Sequence, residues 1–206
     1  MAGDWGLAAL LYDPLLGPLV NGFRRAGLEV APSRPGLRVL DVGCGTGTFL
    51  GLYRDGGAAT AGVDASRSML ARARDRLGPS IPLAAADAGR LPFGDGTFDL
   101  VLIMTVLHEM SGAAAAIAEA ARVAGTEGRI LVVDHHPGPA AGLRGRVFRA
   151  AAAGIERIAG RRHHRAFRGF LRRGGVPALA VEAGLRIERW LCPGSGTMGI
   201  YLLRRA

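Results

Sequence analysis

Three glycines alternate in Val39-Leu40-Asp41-Val42-Gly43-Cys44-Gly45-Thr46-Gly47. Glycine is needed where the backbone takes a positive φ or a ligand comes close to it. A dinucleotide loop reads G-x-G-x-x-G and sets a pyrophosphate on a helix N-terminus. Here the third glycine comes one residue early, and an acid, Asp41, precedes the first. That acid would repel a pyrophosphate and suits a ligand with a positive amine. A second acid, Asp64, follows about 20 residues on, the spacing of a ribose-binding carboxylate. A third, Asp87, stands in Ala86-Asp87-Ala88 and can accept from an exocyclic amine.

Histidine is the side chain suited to proton transfer near neutral pH. His108 lies in Thr105-Val106-Leu107-His108-Glu109, and His135 in Asp134-His135-His136-Pro137. His163 and His164 lie among arginines in Arg161-Arg162-His163-His164-Arg165. His108, His135, His163 and His164 are therefore the candidate catalytic bases, against the plainer reading that they cap or pack. Neighbours on a strand point opposite ways, so one of His135 and His136 at most faces a pocket. No Cys-x-x-Cys or His-x-x-x-His spacing occurs, and no metal is expected.

The elements that must hold these residues alternate. Arg38–Val42, Ala59–Asp64, Ile81–Ala86, Phe98–Val106 and Arg129–Asp134 are short, apolar and bounded by Gly, Pro or Asp, which predicts strands. Apolar strands without alternation belong to a parallel sheet covered on both faces. Helices are predicted at Thr46–Arg54, Ser66–Leu77 and Ala113–Val123, with Ser66 as an N-cap. The tail predicts a helix at Val176–Ala183, then strands Arg186–Cys192 and Thr197–Leu203 joined by Pro193-Gly194-Ser195-Gly196. Asp99 reads as a structural cap or ion-pair partner. The fold class is α/β: a Rossmann-like, doubly wound sheet of seven strands, mostly parallel, with an antiparallel C-terminal edge hairpin and a helical lid inserted after strand five. One domain is expected over 1–206. Within it, 1–37 is an N-terminal helical cap, 38–137 the ligand-binding core and 138–175 an Arg-rich helical lid, and 176–206 completes the sheet.

Three acids at successive strand ends fit a ligand that is cationic at one end and carries a ribose and an adenine: S-adenosylmethionine (SAM). The chain resembles the class I SAM-dependent methyltransferases, in the small-molecule branch that includes ubiquinone- and menaquinone-biosynthesis enzymes. The resemblance rests on the glycine loop at 40–47, Gly62-Val63-Asp64-Ala65-Ser66, Ala86-Asp87-Ala88, Leu91-Pro92-Phe93, Phe98-Asp99-Leu100-Val101 and Ala121-Arg122-Val123-Ala124. It implies that Gly43, Gly45 and Gly47 line the methionine moiety while Asp41 steers its amine. It implies Asp64 and Ala65 at the ribose, Met69 and Leu91 beside the adenine, Asp87 and Ala88 at its edge, and Thr105 at the cofactor. The usual Pro-Gly-Gly turn before strand five is replaced by Gly125-Thr126-Glu127-Gly128.

Composition bounds the rest. Of 206 residues, 49% are hydrophobic and 21% charged, enough for a core and against disorder. All 26 basic residues are arginine, which excludes P-loop and Schiff-base chemistry that needs lysine. The net charge of +9 sits in one segment. Between Gly138 and Gly175 there are ten arginines and a single acid, Glu156; elsewhere sixteen arginines balance sixteen acids. At about 100° per residue, the 161–173 stretch puts Phe167, Phe170, His163 and His164 on one face and the arginines on the other. Leu143, Val147, Ala151, Ile155 and Ile158 recur at helical spacing upstream, so the lid reads as two helices. Phe148, Phe167 and Phe170 are the candidate substrate contacts. A small, partly apolar acceptor (aromatic, quinone-like or another metabolite) is the expected substrate. A lipid headgroup at an anionic membrane surface is the alternative, through a basic amphipathic helix. RNA comes third: the strand-four end lacks the Asn/Asp-Pro-Pro-aromatic motif, and few aromatics interleave with the arginines for stacking. A non-catalytic SAM-binding scaffold comes last. Two cysteines and no signal peptide or spanning segment point to the cytoplasm. Oligomeric state is left open.

Overall fold

The strand at Arg38–Val42 (β1) is buried on both sides from its second residue on, as its unbroken apolar run requires. The computed structural model describes residues 21–158, 160–193 and 196–206. Most of the expected N-terminal cap, Gly194 and Ser195 of the hairpin turn, and the side chains of Ile155, Ile158 and Arg162 lie outside the described residues.

Six further strands join β1: β2 (Ala59–Asp64), β3 (Leu83–Ala85), β4 (Leu100–Met104), β5 (Arg129–His135), β6 (Leu185–Leu191) and β7 (Met198–Arg205). Their order is β3-β2-β1-β4-β5-β7-β6. β1 to β5 run parallel, and β7 is antiparallel to both β5 and β6. This is the seven-stranded Rossmann-like sheet with an antiparallel C-terminal hairpin. The outermost strand, β6, is exposed along most of its length and carries Arg186, Glu188 and Arg189, charges that discourage edge pairing.

The helices are α1 (residues 21–30), α2 (Thr48–Asp55), α3 (Arg67–Leu77), α4 (Ala113–Ala124), α5 (Gly142–Ile158), α6 (Arg161–Arg172) and α7 (Gly175–Glu182). Alternate side chains of each central strand go to opposite faces. Val42, Val101, Ile103 and Val132 pack with α4, α7 and Phe170 of α6. Val39, Leu100, Leu102 and Leu131 pack with α1 and α2, and Phe148 of α5 lies against that face.

Several boundaries differ from the sequence expectation for local reasons. β3 starts at Leu83 because Pro82 has no N–H to give; its carbonyl still accepts from Gly62. β4 starts after Asp99, whose carboxylate takes Arg38 Nη2 at 2.6 Å and the Arg38 amide at 2.8 Å. That pairing is the structural role expected of Asp99. β4 ends at Met104 because Thr105, with φ +52, leaves the extended region. Ser66 caps α3, its Oγ accepting from the Met69 amide.

Candidate functional site

The first βα turn sets the geometry. Gly43, Gly45 and Gly47 all have positive φ. Gly47 caps α2, and a Cβ there would come 2.6 Å from Leu77 Cδ1. At Gly45 a Cβ would meet nothing within 4 Å, so the backbone at this point borders open space. That space is a cleft of about 710 Å³ at the C-terminal ends of β1 to β4. This is where an open parallel sheet offers a crevice.

Asp41, Gly43, Gly45, Asp64, Ala65, Met69, Asp87, Ala88 and Thr105 all line the cleft. Gly47 does not; it sits behind the loop against α3. Leu91 is buried in the core and also stays out of the cleft. Asp41 is 1% exposed, and its Oδ1 has no hydrogen-bond partner among the described residues. Burial, with the Asp64 charge adding to it, pushes its carboxyl up to about 7. Asp64 Oδ2 accepts from the Gly45 amide at 2.9 Å and its Oδ1 from the Ser66 amide at 2.8 Å. Burial raises its pKa too, against the pull of those amides. The amides of Gly45, Ser66 and Ala65 do not fill the acceptor sites of the carboxylate. Asp87 is exposed, and its Oδ1 accepts from the Gly89 amide at 2.9 Å. Thr105 is the one non-glycine with positive φ among the described residues, a strained backbone of the kind that collects at functional sites.

The histidines part company. His108 does not line the cleft; it is buried on a 3-10 turn, Leu107–Glu109, under α6. Its Nδ1 lies 2.7 Å from Asp134 Oδ1, while Asp134 Oδ2 accepts from the Leu107 amide at 2.9 Å. Burial works against the imidazolium, but Asp134, Glu156 and Glu109 outweigh it and lift the ring to about 10. A ring held charged in this way is a poor general base. His135 packs edge-on to His108 and Phe167. Burial and the His108 charge lower it to about 4. His136 goes the other way, to Tyr201 Oη at 2.6 Å and a stack on Trp190.

His163 lines the cleft, with Nδ1 3.9 Å from Glu109 Oε2. His164 lines a separate groove with Arg157, Arg161, Arg165 and Arg168. The shared face expected for these two is thus divided: about 100° of helix separates neighbours, enough to send them to either side of Phe167. The substrate aromatics are also corrected. Phe167 is 2% exposed and Phe170 7%, both packed inward, and Phe148 lies against the far face of the sheet. None of the three lines the cleft. α6 needs its aromatic face to dock, so those rings are spent on the core.

Two carboxylates escaped the sequence reading. Glu109 lines the cleft, and burial raises it to about 7 despite the neighbouring His108. Glu156, the single acid among the segment's arginines, is drawn inward to 3.4 Å from His108 Nε2. Its isolation in that basic run was the available signal.

Residues 40–132 match the family described as methyltransferase domain. The chain is 40% identical over 117 residues to a demethylmenaquinone methyltransferase of Beutenbergia cavernae, covering 57% of this chain and 48% of the relative. It is 38% identical over 130 residues to a phosphatidylethanolamine N-methyltransferase of Cereibacter sphaeroides, covering 61% and 63%. The chain thus spans about half the length of the first relative and under two thirds of the second. In fold it is similar to an S-adenosylmethionine dependent methyltransferase from Mesorhizobium loti, with TM-score 0.64 and 22% identity over 88% of this chain and 96% of that one.

Proposed function

We propose that this chain is a class I SAM-dependent methyltransferase that moves a methyl group from SAM to a small, partly apolar acceptor; the match of residues 40–132 to a methyltransferase domain and the fold support this reading. The observation that carries the reading is Asp41: a buried carboxylate oxygen facing a cleft with no partner among the described residues. A ligand ammonium supplies that partner. The rest of the lining fits the same ligand. Asp64 has acceptor sites left for ribose hydroxyls, Gly45 leaves room for close backbone approach, and Asp87 with Ala88 offers an acceptor and an amide to an adenine edge.

When bound, SAM supplies an electrophilic methyl on a sulfonium. The chain's own part is positioning, which alone contributes much of the rate in an in-line transfer. Asp41, Asp64 and Asp87 fix the cofactor at three points along β1, β2 and the turn after β3. Thr105, with Val106 behind it, forms the floor beside Gly43, where a Cβ would come 3.0 Å from Val106. Of the four candidate bases, His163 is the one at the cleft, and we assign it to receive the acceptor's proton. α6, which carries His163, borders the cleft on that side.

A reduced, demethylated naphthoquinone is the first acceptor to test, since a relative is named for that class. With it, His163→Ala should lower turnover at least tenfold and leave SAM affinity unchanged. Unchanged turnover would remove His163 from the reaction. The second reading is a lipid headgroup at an anionic membrane surface, favoured by the arginine groove of α6 and by Leu143 and Val147, exposed on α5. Phosphatidylethanolamine vesicles as acceptor separate the two. No described helix is long and apolar enough to cross a membrane. The cysteines, Cys44 and Cys192, are unpaired thiols, which suits a reducing cytoplasm.

A further inference from the structure

We propose that His108 Nε2 and the carboxylates of Glu109 and Glu156 form a binding site for one divalent transition-metal ion of the zinc type. The three candidate ligand atoms lie within 4.8 Å of one another. Nε2 is 3.7 Å from Glu109 Oε1 and 3.4 Å from Glu156 Oε1. An ion with tetrahedral bonds of about 2.1 Å holds its ligand atoms about 3.4 Å apart. The site therefore needs only small side-chain movement to close on an ion.

The imidazole is already oriented. His108 Nδ1 faces Asp134 Oδ1 at 2.7 Å, which points Nε2 toward the two glutamates. A carboxylate behind the far nitrogen is the arrangement that fixes tautomer and ring angle in metal-binding histidines. Glu156 supplies an independent observation. It is 7% exposed, and its Oε2 has no hydrogen-bond partner among the described residues. A buried carboxylate oxygen left without a partner costs free energy. Here three carboxylates also gather around one imidazole, an excess of negative charge in a buried place. An ion binding at Nε2 would displace the proton that His108 otherwise holds there, and its charge on the resulting neutral ring would be balanced by Glu109 and Glu156.

The spacing hides the site from a sequence search. His108 and Glu109 are adjacent, and on a strand they would point apart. On the 3-10 turn they do not. Glu156 arrives from α5, far along the chain. One imidazole with two carboxylates suits a borderline ion, whereas magnesium prefers all-oxygen sites and keeps its waters. Glu109 also lines the cleft, so the ion would border the acceptor side. The site stands or falls independently of the methyl-transfer reading.

The test is calorimetry on the full, tag-free chain after chelation, titrated with zinc or magnesium alone. The expected result is one zinc per chain, bound at least a hundredfold more tightly than magnesium. Glu156→Gln should weaken zinc at least tenfold, with thermal unfolding of the zinc-free variant checked in parallel. Glu109→Gln, nearer the surface, serves if the first variant does not fold. Zinc binding no tighter than magnesium, or equal zinc affinity in wild type and a folded variant, overturns the proposal.

Discussion

Asp41 carries a desolvation cost that the Arg24 charge offsets only in part and that a bound cation would reduce further. Its folded-state pKa of about 7 lies above the ordinary 3.8. The folded chain therefore holds that proton more tightly than the unfolded chain does. Stability from this group is fullest below about pH 4 and drains away as pH rises to about 7. Asp41→Asn should accordingly raise the melting temperature over wild type at pH 8, with the gap shrinking toward pH 5. The same variant should weaken SAM binding. A gap independent of pH would mean that Asp41 is ionised in the folded state like any surface acid. Asp41, Asp64 and Asp87 could be read from sequence because each ends or follows an apolar run beside glycine or a helix cap. Glu156 could not: it reaches the site across α5 and α6, and no local pattern records that contact.

At the scale of elements, α6 decides the acceptor side. It buries Phe167 and Phe170 and leaves Arg161, Arg165, Arg168 and Arg172 exposed. Its amphipathic pattern was legible as a helix with an arginine face. The pattern does not give the partner of the apolar face, so aromatic rings that pack in the core look from sequence like substrate contacts. Phe167 touches both His108 and His135, with ring centroids 5.8 and 4.8 Å away. Phe167→Ala should cost about 3–5 kcal/mol in chemical denaturation, whereas His163→Ala on the same helix should cost about 1 kcal/mol or less. Similar losses for both would mean that α6 is not held by its aromatic face. Strands were legible for a simpler reason: β1 and β2 are short apolar runs whose ends are marked by Asp and Gly. The ends of β4 depended on an ion pair and a strained threonine, which lie outside any periodic signal.

The whole molecule separates its charge from its chemistry. The +9 excess falls in the 138–175 segment, while the cleft is lined by acids from the balanced remainder. An anionic surface would meet the arginine groove without facing the cofactor's carboxylates. Sedimentation with vesicles should show binding to anionic lipid at low salt that fades as salt rises. Replacing Arg165 and Arg168 by Glu should abolish it. Equal sedimentation with neutral vesicles would point instead to the exposed Leu143 and Val147. The central claim is that the β1–β4 cleft is a SAM site ordered by its carboxylates. Calorimetry of SAM with wild type and Asp64→Ala tests it most directly. The account predicts one SAM per chain and at least tenfold weaker binding in the variant, since two ribose hydrogen bonds to a charged group are lost. Equal affinity in the two proteins, or no binding by the wild type, would contradict it.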